Sequence, residues 1–188
     1  MSKAGLKQLR IAESDKFPHV TFFFNAQRHE PFKGEERIKI ESPKVANFAD
    51  APDMSADKLA DTLIEQIQSG AFSFIVANFA NPDLVGHGAK VDAAIKACEA
   101  VDRNLGRLLP VLEKKGYAWI VTADHGNAED MLTESGDTNP SHTANPVQTF
   151  VHADGVDSSA DLQEVKGIKD IAPLCLKILG LRIPAEMQ

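Results

Sequence analysis

Apolar and polar positions follow two alternating patterns along the chain. Residues 54–70, MSADKLADTLIEQIQSG, place leucine and isoleucine on one helical face and end at a glycine, which predicts a helix. Residues 91–116 predict a second, longer amphipathic helix. Residues 72–79, FSFIVANF, and residues 118–123, AWIVTA, are almost continuously apolar, which is typical of strands buried on both faces of a parallel sheet.

Shorter patterns fill the remaining chain. Residues 5–14, GLKQLRIAES, predict a short helix, and residues 168–180 predict a final helix with a proline near its start. Strands are predicted in residues 19–24, HVTFFF, in residues 37–40, RIKI, and around residues 147–151, VQTFV. Because strands alternate with helices, we expect an α/β fold with a mostly parallel sheet flanked by helices.

Composition narrows the classes of function. The chain has 188 residues, 43% of them apolar and 25% charged, which is typical of a globular protein of one domain or slightly more. A net charge of −7 without a basic cluster argues against nucleic-acid binding. No apolar run reaches the roughly 20 residues that span a bilayer, and the two distant cysteines are expected to be free thiols. We therefore expect a cytoplasmic protein that binds neither nucleic acid nor membranes.

Acidic and histidine side chains follow the two apolar strands. Asp83 and His87 come after FSFIVANF, and Asp124 and His125 come directly after AWIVTA. A further histidine, His142, lies in the loop NPSHTANP. Because functional groups gather where the strands of an open α/β sheet end, these residues are expected at one edge of the sheet. Mixed carboxylate and imidazole ligands suit Mn²⁺ or Zn²⁺.

The segment NPDLVGH, residues 81–87, brings the first pair together. Asn81 is a good N-cap and Pro82 is favoured in the first turn, so a helix is predicted to start here. Asp83 and His87 then share one helix face at a spacing of four residues. Three uses remain open for such a pair: a metal site, an acid/base pair or a surface hydrogen bond.

Each candidate also has an ordinary structural explanation. Asp124 could cap a turn that Gly126 allows, and His142 could be a simple loop histidine. What favours a metal site is that all these residues are expected on the same edge of one sheet. The other histidines, His19, His29 and His152, have no acidic residue at a useful spacing and are left outside the predicted site.

Six motifs carry a resemblance to a known family. The chain resembles the cofactor-independent phosphoglycerate mutases, members of the alkaline phosphatase superfamily, over nearly its whole length. The shared motifs occur in the family's order: KFPHVTFFFN, EPFKGEER, SPKV, NFANPDLVGH, VTADHGNAEDM and SHTANPV. The resemblance implies an alkaline-phosphatase-like fold, with residues 1–188 as the C-terminal part of the metal-binding domain.

The resemblance also implies a ligand set. It indicates two divalent metal ions, with Mn²⁺ preferred and Zn²⁺ or Co²⁺ as alternatives, and one lysine that contacts the phosphoryl group. One ion would be held by Asp83, His87 and His142, the second by Asp124 and His125, and the lysine is Lys16. The implied reaction is the interconversion of 3-phosphoglycerate and 2-phosphoglycerate through a phosphoserine, in glycolysis and gluconeogenesis.

The sequence departs from the family in two respects. The nucleophilic serine, one further aspartate and the inserted domain with the substrate arginines precede this region in the family, so we expect a truncated, incomplete fold that is inactive alone. The Gly-Gly pair that the family usually has after FFFN is replaced by Ala26 and Gln27, and the Thr-Gly pair after VGH is replaced by Gly88 and Ala89. These replacements are expected to restrict loop geometry.

Two alternative functions stay open beside the mutase. The chain could belong to another phosphotransferase or phosphatase of the superfamily, or it could be a non-catalytic fragment that binds metal. Without the family's N-terminal strand, a sheet edge would be exposed, and self-association through that edge is expected.

Overall fold

The computed structural model describes residues 1–156, 162, 163 and 165–187. The strands are β1 (Gln8–Glu13), β2 (Glu35–Ile40), β3 (Phe74–Asn78), β4 (Trp119–Thr122) and β5 (Thr149–His152). The helices are α1 (Ala56–Ser69), α2 (Asn81–Gly86), α3 (Val91–Lys114) and α4 (Ile171–Ile178). None of the described helices is long and apolar enough to cross a membrane.

The strands form two separate hydrogen-bonded sheets. Strands β2, β1 and β3 form a parallel sheet in that order, and β4 pairs with β5 as an antiparallel two-stranded ribbon. The predicted α/β class with a parallel sheet and flanking helices is confirmed. The strand predicted at residues 118–123 is also present, but its hydrogen-bonded partner β5 runs antiparallel to it.

The main hydrophobic core lies between β1 and helices α1 and α3. Leu9 and Ile11 of β1 are fully buried against Leu59 and Leu63 of α1 and Leu108 of α3. The apolar stripe of α1 therefore packs as its spacing predicts. The helix ends at Gly70, whose φ of 65° is the left-handed conformation that glycine adopts readily.

Two of the shorter predictions are wrong. Residues 5–14 contain strand β1, because a position between β2 and β3 buries every residue from Gln8 to Glu13. Tertiary hydrogen bonding thus overrides the local helical spacing. Residues 19–24 form a short π-helix, His19–Phe23, rather than a strand, and Phe23 is 55% exposed.

Strand β3 is less buried than its composition predicts. Its residues are half-buried or exposed, although the sequence predicts burial on both faces. Within the part of the chain that the structure describes, β3 pairs only with β1, so one of its edges lacks a neighbouring strand. This open edge explains why a mostly apolar strand is only half-buried.

The residues that replace family glycines adopt left-handed backbone conformations. Ala26, Gln27 and Ala89 have φ values of 53°, 65° and 53°. A Cβ atom makes this conformation unfavourable by about 1–2 kcal/mol per residue. The chain therefore keeps a glycine-type backbone at these positions and is strained there.

Candidate metal centre

Helix α2 presents the first two predicted ligands. It begins at Asn81 with Ala80 as N-cap, so the prediction that Asn81 caps the helix is wrong. The Asn81 side chain instead donates hydrogen bonds to the carbonyls of Pro52 and Asp53, at 2.9 and 2.8 Å. These bonds fix the start of α2, and the backbone N–H of His87 bonds the Asp83 carbonyl at 3.0 Å, continuing the turn to His87.

The Asp83 carboxylate is paired with a buried lysine. Lys16 Nζ lies 2.6 Å from Asp83 Oδ2, and the two side chains are 10% and 15% exposed. Burial alone would raise the pKa of Asp83, but the hydrogen bond and positive charge of Lys16 outweigh it and lower the pKa. Asp83 is therefore held as an anion at neutral pH, which is the form that binds a cation.

Two imidazoles meet the other oxygen of Asp83. His142 Nε2 lies 2.9 Å from Asp83 Oδ1, and His87 Nε2 lies 3.2 Å from the same atom. The two Nε2 atoms are themselves 3.2 Å apart. The Nδ1 atom of His87 lies 2.8 Å from the carbonyl oxygen of Pro140. This contact favours the tautomer in which Nδ1 carries the proton and Nε2 is free to bind a metal.

The spacing of these three atoms fits a metal ion. Ligand atoms about 2.1 Å from a tetrahedral ion lie about 3.4 Å from one another, and the observed separations are close to this value. One carboxylate oxygen and two imidazole nitrogens thus offer three ligand atoms of the kind that Mn²⁺ or Zn²⁺ binds. Asp83, His87 and His142 therefore form a candidate metal site.

The second predicted pair lies beside this site but is more open. His125 Nε2 is 3.5 Å from Asp124 Oδ1 and 3.8 Å from Asp83 Oδ1. The His125 ring stacks on the His142 ring with a centroid distance of 3.6 Å. The Asp124 side chain is 57% exposed. Thus the structure brings the predicted site residues close together, although only Asp83, His87 and His142 converge tightly among the described residues.

Sequence reasoning missed one residue near the site. Burial and the positive charge of Lys16 lower the pKa of His19, and the negative charges of Asp124 and Asp83 act in the opposite direction. His19 follows Lys16 by one turn, and its backbone N–H bonds the Lys16 carbonyl at 3.0 Å. The sequence signal for His19 is its position three residues after Lys16, because the absence of an acidic residue at a useful spacing does not reveal it.

Sequence comparisons place the chain among named enzymes. It is 48% identical over 187 residues to a 2,3-bisphosphoglycerate-independent phosphoglycerate mutase of Listeria monocytogenes, and 46% identical over 188 residues to that of Shewanella halifaxensis. Both alignments cover the whole chain, which spans 36% of the length of each relative.

The fold has a counterpart among solved structures. A phosphoglycerate mutase of Leishmania mexicana, crystallised at low cobalt concentration, matches 99% of the chain with a TM-score of 0.89 and 29% identity. The match covers 37% of that protein. In addition, the model of the Metalloenzyme superfamily matches residues 1–183. A match of this extent, on a chain whose Asp and His ligand atoms converge, shows that the protein belongs to the Metalloenzyme superfamily.

Proposed function

We propose that the chain supplies the metal-holding part of a 2,3-bisphosphoglycerate-independent phosphoglycerate mutase. The observation that carries the proposal is the convergence of Asp83 Oδ1 with the Nε2 atoms of His87 and His142. Its relatives bear the mutase name over alignments that include the whole chain. Asp83, His87 and His142 would hold one divalent ion, and Asp124 with His125 would hold part of the shell of a second.

The proposed chemistry is phosphoryl transfer between the two hydroxyl positions of phosphoglycerate through a phosphoserine. Divalent ions bound here would lower the pKa of an attacking hydroxyl and neutralise charge on the phosphoryl oxygens. Lys16 would add a point charge beside the phosphoryl group, and its ion pair with Asp83 fixes its Nζ at the rim of the site. Mn²⁺ is the proposed ion, with Zn²⁺ and Co²⁺ as alternatives.

The resemblance assigns the serine nucleophile and the substrate arginines to a segment outside these 188 residues. We therefore propose that the chain alone does not interconvert 3-phosphoglycerate and 2-phosphoglycerate, and that it acts in the cytoplasm, in glycolysis and gluconeogenesis, as part of a longer site. A coupled assay with 3-phosphoglycerate tests the first point. Turnover by the chain alone at about 10 per second, an ordinary enzyme rate, would mean that one of its own residues serves as nucleophile.

Metal titration tests the binding site directly. Calorimetric titration of the chain with Mn²⁺ is expected to show one main site, which His142→Ala weakens strongly. His29→Ala is the matched control, because His29 lies outside the site. If the Asp83→Ala, His87→Ala and His142→Ala triple variant remains folded by circular dichroism and binds Mn²⁺ like the parent, the assignment is wrong.

We also propose that the chain self-associates through strand edges. Among the described residues, β3 pairs only with β1, and β4 pairs only with β5. An apolar strand with unpaired backbone groups tends to recruit another chain. Light scattering over a concentration series is expected to show a species larger than the monomer. A monomer at every concentration would contradict this proposal without bearing on the metal site.

A further inference from the structure

The loop that carries His142 has no regular secondary structure, although metal binding requires its ring to be placed accurately. Two backbone hydrogen bonds flank His142. On its N-terminal side, the N–H of Asn139 donates to the carbonyl of Met131 at 2.7 Å. The N–H of Thr143 donates to the carbonyl of Gly126 at 2.9 Å, as an isolated antiparallel bridge. Two backbone hydrogen bonds do not fix the segment between them, residues 140–142, so side chains must supply the remaining restraints.

The carboxylate of Glu129 supplies several of these restraints. Its Oε1 accepts hydrogen bonds from the Thr143 hydroxyl and from Asn145 Nδ2, the second at 3.1 Å. Its Oε2 accepts from the backbone N–H of Asn127 at 2.7 Å. Glu129 therefore holds Thr143 and Asn145, which follow His142 in the chain, against its own segment.

Asn127 restrains the other side of His142. It is only 4% exposed, and its Nδ2 lies 3.3 Å from the carbonyl oxygen of Ser141 and 3.5 Å from that of Pro140. The Pro140 carbonyl is also the group that His87 Nδ1 contacts. Asn127 thus contacts residues 140 and 141, which precede His142 and include the carbonyl that orients His87.

Two glycines leave the space that these side chains occupy. A Cβ atom at Gly86 would overlap Asn127 Oδ1, and one at Gly126 would overlap Glu129 Oε1 and Thr143 Oγ1. Gly86 lies in α2 between Asp83 and His87. The Asn127 side chain is therefore packed directly on the helix that carries the other two ligands.

We propose that Asn127 and Glu129 are positioning residues that fix His142 against Asp83 and His87. Both lie in HGNAE, residues 125–129, which begins with His125. This one segment would therefore carry a predicted ligand of the second ion, His125, and would also position a ligand of the first, His142. The inference rests on the proposed metal site. Partners of this kind, which touch a ligand's support rather than the metal, typically change metal affinity by roughly 10–100-fold.

The first test uses substitutions that touch no ligand atom. Glu129→Ala and Thr143→Val remove parts of the hydrogen-bond set, and Gly86→Ala displaces Asn127. Each is expected to weaken Co²⁺ binding by roughly 10–100-fold and to alter the visible absorption of the Co²⁺ complex. Thr143→Ser keeps the hydroxyl and should restore both affinity and spectrum. Gly106→Ala, on an open face of α3, is the control for Gly86→Ala and should leave both unchanged.

The second test uses the metal-free chain. Amide hydrogen exchange in residues 139–145 is expected to accelerate in Thr143→Val but not in Thr143→Ser, while exchange in β1 stays slow in both. Because Thr143 lies on an irregular loop, this pair remains informative even if Gly86→Ala does not fold.

The outcomes separate this inference from the proposed function. A parent chain that binds no Co²⁺ overturns the metal site, while the exchange data still decide whether the hydrogen bonds fix the loop. A parent that binds Co²⁺, with Glu129→Ala and Thr143→Val binding equally well and giving the same spectrum, overturns the positioning role alone.

Discussion

The candidate metal centre has two halves that are held in place by different forces. The helical half consists of Asp83 and His87, and the loop half consists of His142 and its loop. Asp83 and His87 lie on and just after α2, whose fully buried Val85 packs with Ala93 and Ala97 of α3. His142 lies on a loop that polar hydrogen bonds hold in place. This apolar cluster is separate from the main core but shares helix α3 with it. Each hydrogen bond of the loop contributes only about 0.5–1.5 kcal/mol net.

This difference predicts how metal binding and stability respond to substitutions in each half. A loop whose restraints are few and partly exposed opens locally at low free-energy cost, while the helix moves only if the core opens. Substitutions in the loop half should therefore change metal binding with little effect on global stability. Substitutions in the core that supports the helical half should weaken metal binding only by lowering the free energy of unfolding of the whole chain.

The largest expected effect is in the main core, which helix α3 connects to α2, because α3 contributes Leu108 to that core and Ala97 to the contact with Val85. Leu9→Ala removes a fully buried side chain of β1 and should lower the free energy of unfolding by about 2–5 kcal/mol. Leu132→Ala, at a half-exposed position in the loop half, is the control and should change it by less than about 0.5 kcal/mol. Denaturant unfolding measures both. Equal losses would mean that the two halves share one core.

A smaller effect is expected where α2 joins α3. Ala89→Gly should raise the free energy of unfolding by about 0.5–1 kcal/mol, because it removes left-handed strain that exceeds the entropy that glycine adds to the unfolded chain. Ala97→Gly, inside α3, should lower it by about 1 kcal/mol or more. Denaturant unfolding compares the two variants, and destabilisation by both would remove the strain argument.

Low pH should loosen the loop half first. Hydrogen bonds, led by that from Thr143, lower the pKa of Glu129 from its ordinary value near 4.5 to about 2. A depressed pKa of this kind stabilises the folded loop above pH 4.5, and the contribution is lost as pH falls towards 2. Hydrogen exchange in residues 139–145 should therefore accelerate over that window, beyond the change in intrinsic rate. Glu129→Gln should accelerate exchange already at pH 6.

The smallest effect is expected at Glu13, the last residue of β1, and its pH dependence has the opposite sign. Burial raises the pKa of Glu13, outweighing the hydrogen bond that its Oε1 accepts from the Ser55 N–H at 3.0 Å. The free energy of unfolding should therefore decline as pH rises from 4.5 through the folded pKa. Glu13→Gln keeps an acceptor for Ser55 and should flatten this decline. A steeper decline in Glu13→Gln, measured by urea unfolding at several pH values, would contradict the sign.

Much of the candidate site could be predicted because its residues follow strand ends. Asp83 and His87 were placed together by helical spacing, and Asp124 and His125 by the end of an apolar strand. Asn127 and Glu129 could not be assigned, since their partners Ser141 and Thr143 lie 14 residues further along the chain. Polar contacts over such a separation leave no local periodic pattern.

The sequence by itself determined helices α1 and α3, strands β3 and β4, and the chemical type of the ligands, because periodicity and residue type are local properties. Only the tertiary structure decided that residues 8–13 form a central strand, because pairing with β2 and β3 outweighs local helical spacing. It also decided the separation of the ligand atoms. That separation depends on packing between α2 and a distant loop, which no local pattern encodes.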